Sequence, residues 1–222
     1  MIRLHFVVEG QTEETFVHQV FVDHFGHYNI STDVRVVETS RGHKGGVLNY
    51  LKAKGDLLRW LKEDQKADAR FTTMFDLYAL PESFPSHGSA KKLLPLPRIE
   101  ALEAAFGADV EDTRFIPYLQ LHEFEALLLT DPAKLESHFC EYAKEIAALS
   151  VECAGYDSPE LINDGPLTAP SKRIIQKVPG YRGAKASAGP LVAMNIGLPA
   201  MRAKCPHFNA WVSKLEQLAN PV

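Results

Sequence analysis

Four carboxylates far apart in the chain, Glu9, Asp76, Glu123 and Glu125, stand at or just beyond the end of an apolar run. In "LHFVVEG" the run stops on Glu9 and Gly10 follows; in "FTTMFDLYAL" it carries Asp76; in "RFIPYLQLHEFEALLL" it is followed by Glu123 and Glu125. Carboxylates gathered at one place repel one another, and a cation between them removes the conflict. Oxygen-only ligand sets select Mg²⁺ or Mn²⁺ over Zn²⁺. Such an ion polarises a phosphodiester oxygen and activates water for in-line attack. The expected catalytic set is therefore Glu9, Asp76 and Glu123, with Glu9 as metal ligand or general base and Glu125 as a further metal ligand. Each acid also has a plainer reading, since strand ends are commonly polar. Glu13 and Glu14 are accounted for by the positive end of a helix dipole, and Glu38 by a strand end at the surface. A helix through "LHEFEALLL" would set Glu123 and Glu125 about 200° apart, whereas a strand would put both on one face. Glu123 is nearer the strand end and is preferred, with His122 supporting it.

Cationic residues supply the other half of phosphodiester chemistry. "RGHKGG", Arg41–Gly46, offers Lys44 to an anion but lacks P-loop spacing and reads equally as a flexible turn. "TAPSKRI", Thr168–Ile174, combines a capping Ser171 with Lys172 and Arg173, either as phosphate contacts or as an ordinary helix start. The net charge of −4 is divided unevenly. Residues 165–222 hold eight bases against one acid, a balance of +7 that leaves −11 for the rest. A basic stretch of this kind either meets a polyanion such as nucleic acid or balances the acidic body internally. The three cysteines lack metal-ligand spacing, and an odd number suits a reducing compartment. There is no apolar run long enough for a membrane helix and no secretory leader at the N-terminus. The expected location is cytoplasmic, with no membrane partner.

The elements that must position these groups alternate. Strands are expected at Ile2–Val8, Asp33–Glu38, Phe71–Leu80 and "TRFIPYLQL", where Pro117 points to an edge or a bulge. Helices are expected after Thr12 as cap; after "RGHKGG", with Val47, Leu48, Leu51, Leu58 and Leu61 on one side; over "PRIEALEAAFG", closed by Gly107; around Lys134–Leu149; and over Phe208–Leu218. The Pro-rich stretch Pro81–Pro97 reads as a surface loop. The pattern is that of an α/β protein, a Rossmann-like, mostly parallel sheet with helices on both faces. Residues 1–131 form this domain, and residues 132–222 a basic, mostly helical and loop extension packed on it. In such sheets ligands sit beyond the carboxyl ends of the strands, so the acids should share one rim.

"VVEGQTEE" resembles the first motif of TOPRIM domains, a hydrophobic strand ending in Glu-Gly. More closely, "VEGQTEETFV", "DLYALPESFP", "LHEFEALLL" and "INDGPLTAPSKRI", with "CPHFNAWVSKL" near the end, resemble the bacterial TOPRIM-like family called domain of unknown function 4276. The likeness covers nearly the whole chain. It implies a TOPRIM sheet and, by analogy with OLD-type nucleases, a Mg²⁺- or Mn²⁺-dependent nuclease. Such an enzyme would act on nucleic acid, with DNA favoured over RNA and the choice left open, beside an ATPase partner in phage defence or DNA processing. By position the TOPRIM glutamate falls on Glu9 and the first aspartate of the second motif on Asp76. TOPRIM domains usually read Asp-x-Asp, but here the stretch is Asp76-Leu77-Tyr78. That departure motivates one alternative, a non-catalytic module that binds nucleic acid or an ATPase; a third reading, a phosphoryl-transfer enzyme acting on small nucleotides, would use the same metal rim.

Overall fold

The computed structural model describes residues 1–40, 43, 44, 49–162, 165 and 167–219. Its centre is β1 (Ile2–Val8), buried over its last five residues because parallel strands are covered on both faces. β1 pairs in parallel with β2 (Ile30–Val36) on one side and β5 (Ala69–Asp76) on the other. β5 pairs in parallel with β6 (Phe115–Ile116) and, further along, with β7 (Leu119–Gln120). β3 (Glu38–Ser40) and β4 (His43–Lys44) form a separate antiparallel pair.

Helices fill the connections. α1 (Gln11–Phe16), a π turn at Val17–Phe21 and α2 (Val22–Gly26) lead from β1 to β2. α3 (Tyr50–Glu63) precedes β5, and α4 (His87–Ala90) and α5 (Pro95–Val110) follow it. Beyond β7 come α6 (Glu125–Leu128), α7 (Ala143–Cys153), α8 (Pro170–Lys177), α9 (Tyr181–Ile196), α10 (Leu198–Lys204) and α11 (Pro206–Glu216). Among the described residues, no helix is long and apolar enough to cross a membrane.

Strand alternation divides the core in two. Leu4, Phe6 and Val8 face the α1–α2 phenylalanines together with α9 and α11. Val7, Phe71 and Phe75 face α3 and α5. The C-terminal helices complete the first of these cores. Trp211 of α11 stacks on Tyr118 with ring centroids 3.8 Å apart, and its Nε1–H donates to Thr72 Oγ1 at 2.9 Å.

The mixed α/β class and the parallel sheet agree with the sequence pattern, while several boundaries differ for local reasons. The first helix is capped at Gly10, not Thr12, because the Glu13 carboxylate folds back to accept the Gly10 N–H at 3.0 Å. The α3 stripe is Tyr50, Ala53, Leu57, Trp60 and Leu61, which leaves Leu51 one position off the face and 74% exposed. Val47 and Leu48 lie outside the described residues. β2 begins at Ile30, and β5 ends at Asp76, where a 3₁₀ turn (Leu77–Ala79) takes over. α5 starts at Pro95 and runs past Gly107 to Glu111, which closes it in the left-handed region at φ 57°. The fourth strand splits at Pro117, which has no N–H for a ladder, into β6 and β7. Residues 132–142 form 3₁₀ segments before α7, and the last helix begins at Pro206.

Candidate functional site

The site forms where the parallel strands end together. β1 and β5 are in register from Arg3↔Ala69 to Val8↔Met74, so Glu9 emerges beside the end of β5. There the Asp76 N–H donates to Glu9 Oε2 at 3.3 Å. Asp76 Oδ1 in turn accepts the Phe124 N–H at 2.9 Å, which ties the end of β5 to the segment following β7. That segment turns sharply at His122, a non-glycine residue at φ 65° whose carbonyl accepts the Tyr78 N–H at 2.8 Å. Non-glycine residues in this region carry strain that the surroundings must hold.

Glu125, in the first turn of α6, reaches α9, where Lys185 Nζ lies 3.0 Å from its Oε1 and the Tyr181 hydroxyl donates to the same oxygen at 3.2 Å. Glu13 on α1 enters from the other side. α1 and α9 approach closely at Gly189, where an added Cβ would lie 3.0 Å from the Tyr181 hydroxyl and 3.6 Å from Thr12. Gly189 thus lets Tyr181 and Lys185 come up to the acids.

Glu123 lies beside this group and is turned toward α8. Its Oε1 accepts the Ser171 N–H at 2.6 Å and its Oε2 accepts the Ser171 hydroxyl at 3.0 Å. A carboxylate from a distant loop thus caps α8, satisfying a free N–H and meeting the positive helix end.

Crowding shows in the proton affinities. Burial, then repulsion from Glu13, Glu9, Glu125 and Glu123, holds Asp76 well above the usual carboxylate range. Glu9 is pushed up to about 8 by burial and by Glu13, against the Asp76 N–H, which pulls it down. Glu13 rises to about 7, mainly through burial. Glu125 also rises through burial and Glu123, in spite of Lys185. The group therefore holds its protons more tightly than ordinary carboxyls, in spite of one neighbouring ammonium. Glu13 and Glu125 are buried, whereas Glu9 and Asp76 keep partial access to solvent and line its open side.

These donors are all oxygens, and that chemistry fits a hard divalent ion. Among the described residues, no three His, Cys, Asp or Glu side chains already stand as a ligand set. The carboxylates are held instead by Gly10, Asp76, Phe124, Ser171 and Lys185.

The cationic candidates divide. Lys172 is exposed and follows Ser171 in the first turn of α8. Arg173 donates to the carbonyls of Thr168 at 2.7 Å and Ile162 at 3.1 Å and pairs with Glu152, so its guanidinium braces the loop before α8. The side chain of Lys44 and most of "RGHKGG" lie outside the described residues. Glu13, Lys185 and Tyr181 did not stand out in the sequence. The helix dipole accounts for Glu13 on its own, and Lys185 and Tyr181 lie about 170 residues downstream of it, in a helix with no visible periodicity toward the site.

No curated protein and no solved structure matches the chain. The model of one family, described as a domain of unknown function (DUF4276), matches residues 8–216, a span that contains every acid of the site. The chain therefore belongs to the DUF4276 family.

Proposed function

We propose that the acidic rim is a Mg²⁺ or Mn²⁺ site and that the protein is a metal-dependent nuclease of TOPRIM type. The observation that carries this reading is the imbalance at the strand ends, where Glu9, Glu13, Asp76 and Glu125 share Lys185 as their near cation and are all raised in proton affinity. Glu9 and Asp76, on the open side, would hold the ion, with Glu125 and Glu123 behind them. When bound, a divalent ion supplies charge neutralisation at a phosphodiester and a water of lowered pKa. Glu9, with its affinity near neutrality, is suited to take a proton from that water at working pH. Lys172 lies beside the rim for backbone contact, and Lys44 is kept as a candidate for the same role. A DNA substrate and an ATPase partner in phage defence or DNA processing accord with the family resemblance noted above, as does a cytoplasmic setting.

Glu9→Gln and Asp76→Asn keep the acceptor oxygens that bond Asp76 N–H and Phe124 N–H. Both should abolish Mn²⁺-dependent cleavage of plasmid or single-stranded DNA without loss of fold. Cleavage by both variants at the parental rate would refute the assignment. A second reading, a non-catalytic module that docks an ATPase, is favoured by Tyr78 at the position of the second TOPRIM aspartate and by the Lys185–Glu125 pair. It predicts no Mn²⁺ binding, alone or with the partner.

A further inference from the structure

β2 ends the sheet on the side away from β5, and among the described residues no strand pairs with its outer edge. In a parallel ladder, alternate residues of a strand turn their N–H and C=O groups to the same neighbour. The Val37 N–H donates to the Val8 carbonyl at 3.0 Å, which assigns the odd-numbered positions of this segment to β1. Thr32, Val34 and Val36 therefore point their backbone groups outward. Val34 bears this out, since its N–H is met by the side chain of its neighbour, Asp33 Oδ1, at 2.9 Å. An open edge of this kind is a template for another strand.

The charged side chains on the edge are of opposite sign and share a face. Asp33 and Arg35 are two residues apart, so both stand on the α3 side of the sheet. Asp33 Oδ2 lies 4.0 Å from His5 Nδ1, while the Arg35 guanidinium lies 4.1 Å from the Trp60 ring centroid and 2.6 Å from Glu63. The two side chains are 61% and 47% exposed, so both remain open to a newcomer.

A second copy related by a two-fold axis can meet this edge only antiparallel, with outward groups against outward groups. An axis through Val34 sets Val34 against Val34, and Thr32 against Val36 of the second copy, as pairs that exchange two backbone hydrogen bonds. The positions between them bring side chains closest, at about 4.5 Å between Cα atoms. There Asp33 faces Arg35 of the second copy, and Arg35 faces its Asp33. An axis moved by one residue either way would oppose Asp33 to Asp33 or Arg35 to Arg35, which repels. Charges of one sign would keep a second copy off the edge in every register; this alternation admits it in one.

We infer that β2 is a homodimer edge, on which a second copy of this chain adds its own β2 antiparallel about Val34 and continues the sheet. On pairing, Asp33 hands the Val34 N–H to the carbonyl of the second Val34 and turns to Arg35 of the second copy. Arg35 exchanges Glu63, an exposed partner worth little, for that Asp33. Antiparallel pairing points the two acidic rims in opposite directions and leaves both open, so the contact is independent of what the rims bind.

The test is sedimentation equilibrium of the full chain over a range of concentrations, with circular dichroism to verify that each variant is folded. The parent should sediment at twice the mass of the chain. Asp33→Arg and Arg35→Asp each turn both cross-strand pairs repulsive and should weaken dimerisation about tenfold or more. The double variant Asp33→Arg/Arg35→Asp should recover the dimer, and an equal mixture of the two single variants should form a mixed one. A loss caused only by the broken contacts to His5, Trp60 or Glu63 would persist in the double variant and in the mixture, and overturns the inference. A parent that stays monomeric overturns it too and leaves the edge to a strand of another protein. So does a dimer that the single swaps leave untouched.

Discussion

The two ends of the sheet treat charge in opposite ways. At the amino end, Arg3 of β1 bonds Asp64 and Asp68, and His5 Nε2 lies 3.0 Å from Asp64. Arg114, just before β6, bonds Asp112 at 2.7 Å and the carbonyls of Asp64 and Leu61 at 2.6 and 3.1 Å. Burial alone would raise Asp64, but Arg3 and His5 bring it down to about 2. At the carboxyl end the carboxylates outnumber their cations and rise. A fold that needs charge only for architecture can pair it, as the amino end does. The carboxyl end keeps more carboxylates than its one near ammonium balances, and strain retained in this way is a common mark of a functional site.

Three contrasts should sharpen or break this comparison. The largest separates activity from stability. Asp76→Asn or Glu9→Gln should cut Mn²⁺-dependent cleavage at least about a hundredfold, since a metal ligand or base is lost. The same change should raise the melting temperature of the metal-free protein at pH 8, because the replaced carboxyl has a raised proton affinity only in the folded chain and so disfavours folding at that pH. Arg114→Ala should do the reverse, keeping cleavage by the folded fraction and costing about 2 kcal/mol of stability in urea, as lost hydrogen bonds to charged groups do.

Next comes pH. Glu9 and Glu13 have folded-state values near 8 and 7, above their ordinary 4.5, so the folded chain binds more protons between about 4.5 and 8. Stability from this end should therefore fall as pH rises through that window. Asp64 is depressed from 3.8 to about 2, so its contribution is present above about 3.8 and is lost as pH falls through 2. Urea titrations of parent and Asp76→Asn from pH 5 to 8 should diverge, with the parent losing more. Parallel curves would mean the rim carries no such strain.

The smallest effect concerns packing behind the rim. Gly189→Ala places a methyl 3.0 Å from the Tyr181 hydroxyl. It should destabilise by about 1–2 kcal/mol, as overpacking does, and should also weaken Mn²⁺ binding by displacing Tyr181 and Glu125. Unchanged Mn²⁺ affinity would show that α9 does not set the geometry of the rim.

The sequence displayed the parallel strands and the acids at their ends because both are local signals: an apolar run, then a carboxylate. The rule that ligands gather beyond the strand ends then sufficed to bring Glu9, Asp76, Glu123 and Glu125 to one place. It could not display Glu13 as part of the group, because a first-turn glutamate already has a sufficient local explanation. Nor could it display Glu123 as the cap of α8 or Lys185 as the partner of Glu125, since both depend on how α8 and α9 fold back over the sheet. The +7 tail was legible as a charge excess, yet Arg173, Lys185 and Arg202 spend theirs on Glu152, Glu125 and Glu216.

The most direct test of the rim is calorimetric titration of the parent chain with Mn²⁺ at pH 7.5 in two buffers of different ionisation enthalpy. The account predicts saturable binding whose heat depends on the buffer, because protons held by Glu9, Glu13 and Asp76 leave as the ion enters, and it predicts that Asp76→Asn loses both. Absence of binding by the parent, or binding that Asp76→Asn leaves unchanged, would contradict it.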